Sequence, residues 1–155
     1  PVPTRGETAM SETVPPVLLR YMAGLKAHDV DAILDTVADA LRFESHGRVL
    51  DKAAFGGMLR ALYTGFPDWH YDHDAPGTEN GWWYVLWRQS GTHDGTFALP
   101  GLAPIPATGR PVQIPPQRFY YRVEEDRIVV IRPDPIEGGA PKGILQQIGV
   151  AQPPL

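Results

Sequence analysis

A histidine set between glycines, in Ser90-Gly91-Thr92-His93-Asp94-Gly95, is the most chemically suggestive feature of this sequence. It follows the run Trp82-Trp83-Tyr84-Val85-Leu86-Trp87-Arg88-Gln89, whose aromatic and β-branched content predicts a half-buried strand. Glycine lets backbone or ligand approach closely and often marks a bulge. The pattern therefore delivers a titratable imidazole to the end of a rigid apolar strand, a position suited to proton transfer at a pocket mouth. A structural or merely exposed histidine is the competing reading. His70, Asp72, His73 and Asp74 form a second polar group. His70, Asp72 and Asp74 share one strand face, but metal sites draw ligands from several elements and an acidic face is the natural solvent face, so no metal is expected. His46 follows a short strand-like segment and could reach a cavity, although Gly47 beside it suggests a turn. Gly138-Gly139 lacks the strand–glycine–helix setting and the Lys-Ser/Thr ending of a phosphate loop.

These residues need a frame to hold them. At 155 residues, with 43% hydrophobic and 10% aromatic residues, the chain suits one folded domain with a real core. Its net charge of −4 is spread along the chain and leaves no footprint for nucleic acid. Cysteine is absent, which excludes disulfides, thiolate zinc sites and cysteine nucleophiles. No apolar run approaches a membrane span and no signal peptide is legible, so a cytoplasmic protein without membrane partners is expected. Residues 1–12 read as a tail, 13–150 as one domain and 151–155 as a C-terminal tail.

Periodicity predicts the elements. Val14, Val17, Leu18, Tyr21, Met22 and Leu25 recur at helical spacing, with Thr13 as the expected cap and Pro15 in the first turn. Asp29 caps a second short helix carrying Ile33, Leu34 and Val37, and Leu41 to His46 reads as a short strand. Asp51 caps a third helix whose face bears Phe55, Met58, Leu59, Leu62 and Tyr63. After Phe66-Pro67-Asp68 the period becomes two, with Trp69, Tyr71 and His73 on one side. Strands follow over 82–92, 112–123 and 127–132, the last two joined by a tight antiparallel turn at Glu124-Glu125-Asp126. Pro115-Pro116 inside the second of these implies an edge or a bulge. A short helix over 142–148 closes the chain. Helices first and antiparallel strands later give an α+β fold, three helices on one face of a curved sheet that encloses a conical cavity.

The ordered set Phe66-Pro67-Asp68, Ser90 to Gly95, Thr108-Gly109-Arg110, the hairpin around Arg127-Ile128 and Leu145 to Val150 resembles the SnoaL-like polyketide cyclases, or ester cyclases, of the nuclear-transport-factor-two-like superfamily. The resemblance runs from about Thr13 to Val150. It implies a cone-shaped α+β barrel with a mixed, antiparallel-rich sheet, a homodimer, and a cofactor-free pocket for a small hydrophobic molecule. It implies ring closure by intramolecular aldol condensation, which needs a base α to a carbonyl and donors for the enolate. In the family an aspartate just past the last hairpin strand is the acid/base, with a histidine and a glutamine on the neighbouring strand. Carried over by position, the glutamine falls on Gln117, the arginine before the aspartate on Arg132, the histidine on Phe119 and the aspartate on Pro133, with Asp134 one place later.

Two departures qualify that carry-over. Phe119 moves no proton, and a one-residue shift turns a side chain to the other face of a strand unless Pro133 re-aims Asp134 inward. The expected site is Asp134 as acid/base with His93 and Gln117 orienting or stabilising charge. Its walls are expected to include Phe119, Tyr21, Phe55, Leu59, Trp87 and Arg132. The alternatives are a barrel that binds a small ligand without catalysis and an epoxide-type hydrolase. Because Trp82, Tyr84 and Leu86 lie on one strand face and Trp83, Val85 and Trp87 on the other, helices can cover only one, and a second subunit is expected on the other.

Overall fold

The computed structural model describes residues 13–45 and 47–150; His46 lies outside the described residues. Helix α1 (Pro16–Ala27) opens on Pro15 and Pro16, whose preset φ suits a first turn that needs no N–H. No side chain caps it, so Thr13 does not serve as its cap. It buries Val17, Leu18, Tyr21, Met22 and Leu25 and stops at His28, which is left-handed at φ 56°. The Asp29 carboxylate accepts from the Ala32 amide at 3.1 Å and starts α2 (Val30–Asp35).

Val37 does not belong to that helix. It opens β1 (Val37–Ser45), which starts well before the expected Leu41, because the backbone there is taken by a long-range partner, Ile128. Local spacing could not reveal that pairing. β1 turns back into β2 (Arg48–Leu50). Asp51 then accepts from the Ala54 amide at 2.8 Å and starts α3 (Lys52–Gly65), which buries Phe55, Leu59 and Leu62.

The later strands are β3 (His70–His73), β4 (Gly77–Glu79), β5 (Trp82–Thr92), β6 (Pro111–Glu124) and β7 (Arg127–Pro133), followed by helix α4 (Lys142–Gln147). Strand β4 was not anticipated, although Asn80-Gly81 carries the signal: both have positive φ, 52° and 82°, as a two-residue primed hairpin turn requires. Glu125 and Asp126 make the same kind of turn between β6 and β7, at φ 50° and 60°.

The seven strands form one open, mixed sheet in the order β2-β1-β7-β6-β5-β3, with β4 also on β5. Only β1 and β7 run parallel. Pro115 and Pro116 sit at a register shift opposite Arg88, so the proline pair marks a bulge in a central strand. Further shifts lie between Arg122 and Val123 and between Val37 and Arg42. Such bulges bend strands, and the sheet curls into a cone around the side chains of its concave face. Helices α2 and α3 pack on β1, α1 on β3 and β7, and α4 on β6. Phe43, Val85, Trp87, Tyr121 and Ile131 point into this core and are buried.

The convex face has its own cover. The Arg118 guanidinium lies 4.2 Å above the Tyr84 ring, and those of Arg122 and Arg132 lie 4.3 and 4.6 Å from the Trp82 ring. No helix among the described residues is long and apolar enough to cross a membrane.

Candidate functional site

Inside the cone, α1, α3, the concave face of the sheet and the start of α4 leave a pocket. Counting its open mouth, it encloses about 610 Å³. Tyr21, Phe55, Leu59, Trp87 and Phe119 line it. Leu25, Phe43, Met58, Phe97, Leu99 and Ile144 complete most of the apolar wall.

Its polar groups are Tyr21, Tyr71, Tyr121 and Gln89. The Trp87 indole donates to the Tyr121 hydroxyl at 2.9 Å, which leaves the phenol's own proton as a donor. Tyr21 meets Tyr121 edge-on with ring centres 5.3 Å apart. The Tyr71 hydroxyl shares a 2.7 Å hydrogen bond with that of Tyr63, whose ring stacks on His28 at 4.1 Å. Gln89 accepts from the Trp69 indole at 3.1 Å. Burial, the largest cause in each case, pushes the phenols of Tyr21, Tyr63, Tyr71 and Tyr121 above their ordinary pKa. They stay protonated and are not bases; one proton of the Tyr63–Tyr71 pair is spent between those two hydroxyls, and the Tyr21 and Tyr121 hydroxyls interact with each other. Sequence reading passed over Tyr71, Gln89 and Tyr121. Their signal was parity: Gln89 follows Val85 and Trp87 on the inward side of β5, and Tyr121 follows Phe119 on β6.

The expected polar trio is not on this wall. His93 is fully buried in a clasp. Its backbone exchanges hydrogen bonds with Arg110 and Gly109, its Nδ1 accepts from the Thr108 amide at 3.2 Å, and the Thr108 hydroxyl lies 2.8 Å from the same nitrogen. That arrangement assigns the ring proton to Nε2, which is buried with no hydrogen-bond partner and lies among Phe66, stacked at 5.2 Å, and Phe97. The flanking glycines serve packing: a Cβ at Gly91 would meet the Trp69 ring, and one at Gly95 would run into the Thr64 carbonyl at the end of α3.

Gln117 is also buried, and its amide is committed to the chain. It donates to the Asp134 carbonyl at 2.9 Å and accepts from the Ala140 amide at 3.1 Å, tying down the loop between β7 and α4. Phe119 pairs with Pro133, so Pro133 itself takes the inward position and is buried. The half-buried Asp134 follows with opposite parity and lines no part of the pocket. Its amide donates to the Arg118 carbonyl in the middle of β6, whereas the His93 amide donates to the Arg110 carbonyl just before that strand begins. His93 therefore sits by the start of β6 and Asp134 beside its middle, on the order of 25 Å of strand contour apart. Arg132 is corrected as well. It is an outward residue, bonded to Glu44 at 2.7 to 2.8 Å, and this pairing holds the Glu44 carboxyl below its usual range. Asp72 and Asp74 are bound by Arg88, at 2.9 and 3.0 Å.

Comparison with known proteins agrees with this architecture. No curated protein matches the chain by sequence. Among solved structures, AclR from Streptomyces galilaeus, a candidate hydroxylase, superposes with a TM-score of 0.69 at 16% identity, covering 90% of this chain and 82% of its own. A candidate SnoaL-like polyketide cyclase from Jannaschia sp. CCS1 gives 0.66 at 18% identity, covering 92% of this chain and 100% of its own. A candidate polyketide cyclase from Xanthomonas campestris pv. campestris gives 0.65 at 15%, covering 86% and 94%. At these identities the likeness is one of fold. The sequence model of the SnoaL-like domain matches residues 18–131, most of the chain and nearly all of the cone, and on that match this protein belongs to the SnoaL-like domain family.

Proposed function

We propose that the cone is a SnoaL-like, cofactor-independent cyclase site that binds a carbonyl-bearing hydrophobic small molecule and polarises its carbonyl through buried phenols. The observation that carries this reading is the set of three neutral tyrosines, Tyr21, Tyr71 and Tyr121, on an otherwise apolar wall. A phenol held in its protonated form donates to the carbonyl oxygen of the ligand and draws charge onto it. In this reading Gln117, His93 and Asp134 act by holding the backbone that frames the pocket. A second reading, a barrel that binds such a molecule without turning it over, is favoured by one further observation: no carboxylate or imidazole of the described residues lines the wall. Epoxide hydrolysis, which would call on acidic side chains, has no support there.

The test uses 2-acetonaphthone and its carbonyl-free counterpart 2-ethylnaphthalene, with binding followed by tryptophan fluorescence. The ketone binds several-fold more tightly, the scale of one net hydrogen bond. Tyr121→Phe removes most of that preference, and Asp134→Asn leaves it. Loss of preference in Asp134→Asn alone would return the site to the loop. Exchange of the methyl protons in D2O, followed by NMR, separates the two readings: accelerated exchange favours the cyclase, binding without exchange the binding barrel.

We further propose a homodimer across the convex face, where Trp82, Tyr84, Tyr120, Arg118 and Arg122 give the aromatic and arginine composition favoured at protein interfaces.

A further inference from the structure

We propose that the pocket continues into a groove that takes the carboxylate end of an elongated apolar molecule, with Arg48 as the residue that selects for the acid. The inference rests on the pocket reading above and adds the second end of the ligand.

Next to the cone pocket lies a second void of about 560 Å³ counting its mouth. The two share four walls, Phe43, Met58, Leu99 and Pro141, so they abut, and in the proposed reading they join into one apolar slot. The slot has a polar end on either side. Deep in the cone are the phenols. At the other end are Ser45 and Arg48. Strand register explains why Arg48 faces the slot. On the β1–β2 hairpin Phe43 pairs with Leu50 and Ser45 with Arg48, and antiparallel partners two residues along share a face. Arg48 therefore projects on the side of the Phe43 ring, about 7 Å further along the strand.

Charge makes this end selective. The neighbouring cations are already used: Arg42 binds Glu44 at 3.0 Å and Lys52 binds Asp39 at 3.2 Å. The N-terminus of α3 is filled by its own Asp51. Arg48 is exposed and has no carboxylate partner among the described residues. A guanidinium with free N–H groups at the rim of an apolar slot matches a planar carboxylate, which it holds by two parallel hydrogen bonds. The ligand class that fits is a slender hydrophobic acid with a carbonyl or hydroxyl oxygen at its far end.

The probes are cis-parinaric acid and its methyl ester, which share one chain and differ in charge, with binding read by polyene fluorescence at pH 8 in low salt. The acid binds the wild-type protein about tenfold more tightly than the ester, and added salt shrinks the difference. Arg48→Gln removes the preference and leaves ester binding unchanged. Arg48→Lys keeps part of it, and Tyr121→Phe keeps all of it. Because Arg48 is exposed, these variants fold, which circular dichroism verifies. Equal affinity for acid and ester in the wild type, or a preference that survives Arg48→Gln, overturns the role of Arg48 while the pocket reading stands. Failure of both probes to bind the wild type overturns the pocket reading and this inference with it.

Discussion

At the scale of single residues, chemistry and architecture have exchanged places. His93 carries the functional group that sequence singles out, yet every polar atom it can offer is spent on the loop except an Nε2–H sealed among aromatic rings. Removing the ring opens a cavity and unfastens Thr108. His93→Ala should therefore lower stability by about 2–4 kcal/mol in urea denaturation while the affinity for 2-acetonaphthone holds. The reverse outcome, intact stability with lost binding, would make His93 a pocket residue after all. In the proposed reading the chemistry passes to tyrosines. Nothing about Tyr71 or Tyr121 in isolation separates them from ordinary core residues. Only their assembly around one void gives their hydroxyls a common purpose.

Among the elements, the loop between β7 and α4 is set by one side chain. Gln117 spans it from the Asp134 carbonyl to the Ala140 amide, and Ala140, Pro141 and Ile144 beyond it are pocket wall. Gln117→Ala should leave a buried amide and a carbonyl unpaired, at about 1–3 kcal/mol each. Hydrogen exchange at Gly139 and Gly143 should quicken while amides of β5 and β6 stay protected, and ketone binding should weaken several-fold. Unchanged exchange in that loop would refute the clamp. The elements themselves were largely legible. Amphipathic spacing found the faces of α1 and α3, Asp29 and Asp51 found two helix starts, and alternation found β5, β6 and β7. What escaped was whatever a distant partner decides. The first half of β1 looks helical until Ile128 is beside it, and β4 is too short to show alternation. Likewise the family's aspartate position could be located to within a residue, but on a strand one residue decides the face, and Pro133 took the inward place.

For the whole molecule, two surfaces of one sheet have been given different tasks. The concave face holds the slot. The convex face presents flat aromatic rings already matched with guanidinium groups. The proposed dimer predicts that sedimentation equilibrium at micromolar concentration gives about twice the 17.1 kDa of the chain, and that Arg118→Glu with Arg122→Glu returns it to the single mass. A wild-type monomer under those conditions removes the second copy. The parallel pairing of β1 with β7 has a consequence in time. Phe43, a wall of both voids, sits on the first strand of the sheet, while its neighbour Ile131 sits on the last. During synthesis α1 to α3 and β1 emerge long before the strand that must lie beside β1, and such distant contacts are slow to form. The half-made chain is a set of sticky amphipathic pieces with no cavity among them. The slot takes shape only when the β6–β7 hairpin lies beside β1 and the segment that follows, with Ala140, Pro141 and Ile144, closes over it, so within this domain the cavity forms after the sheet.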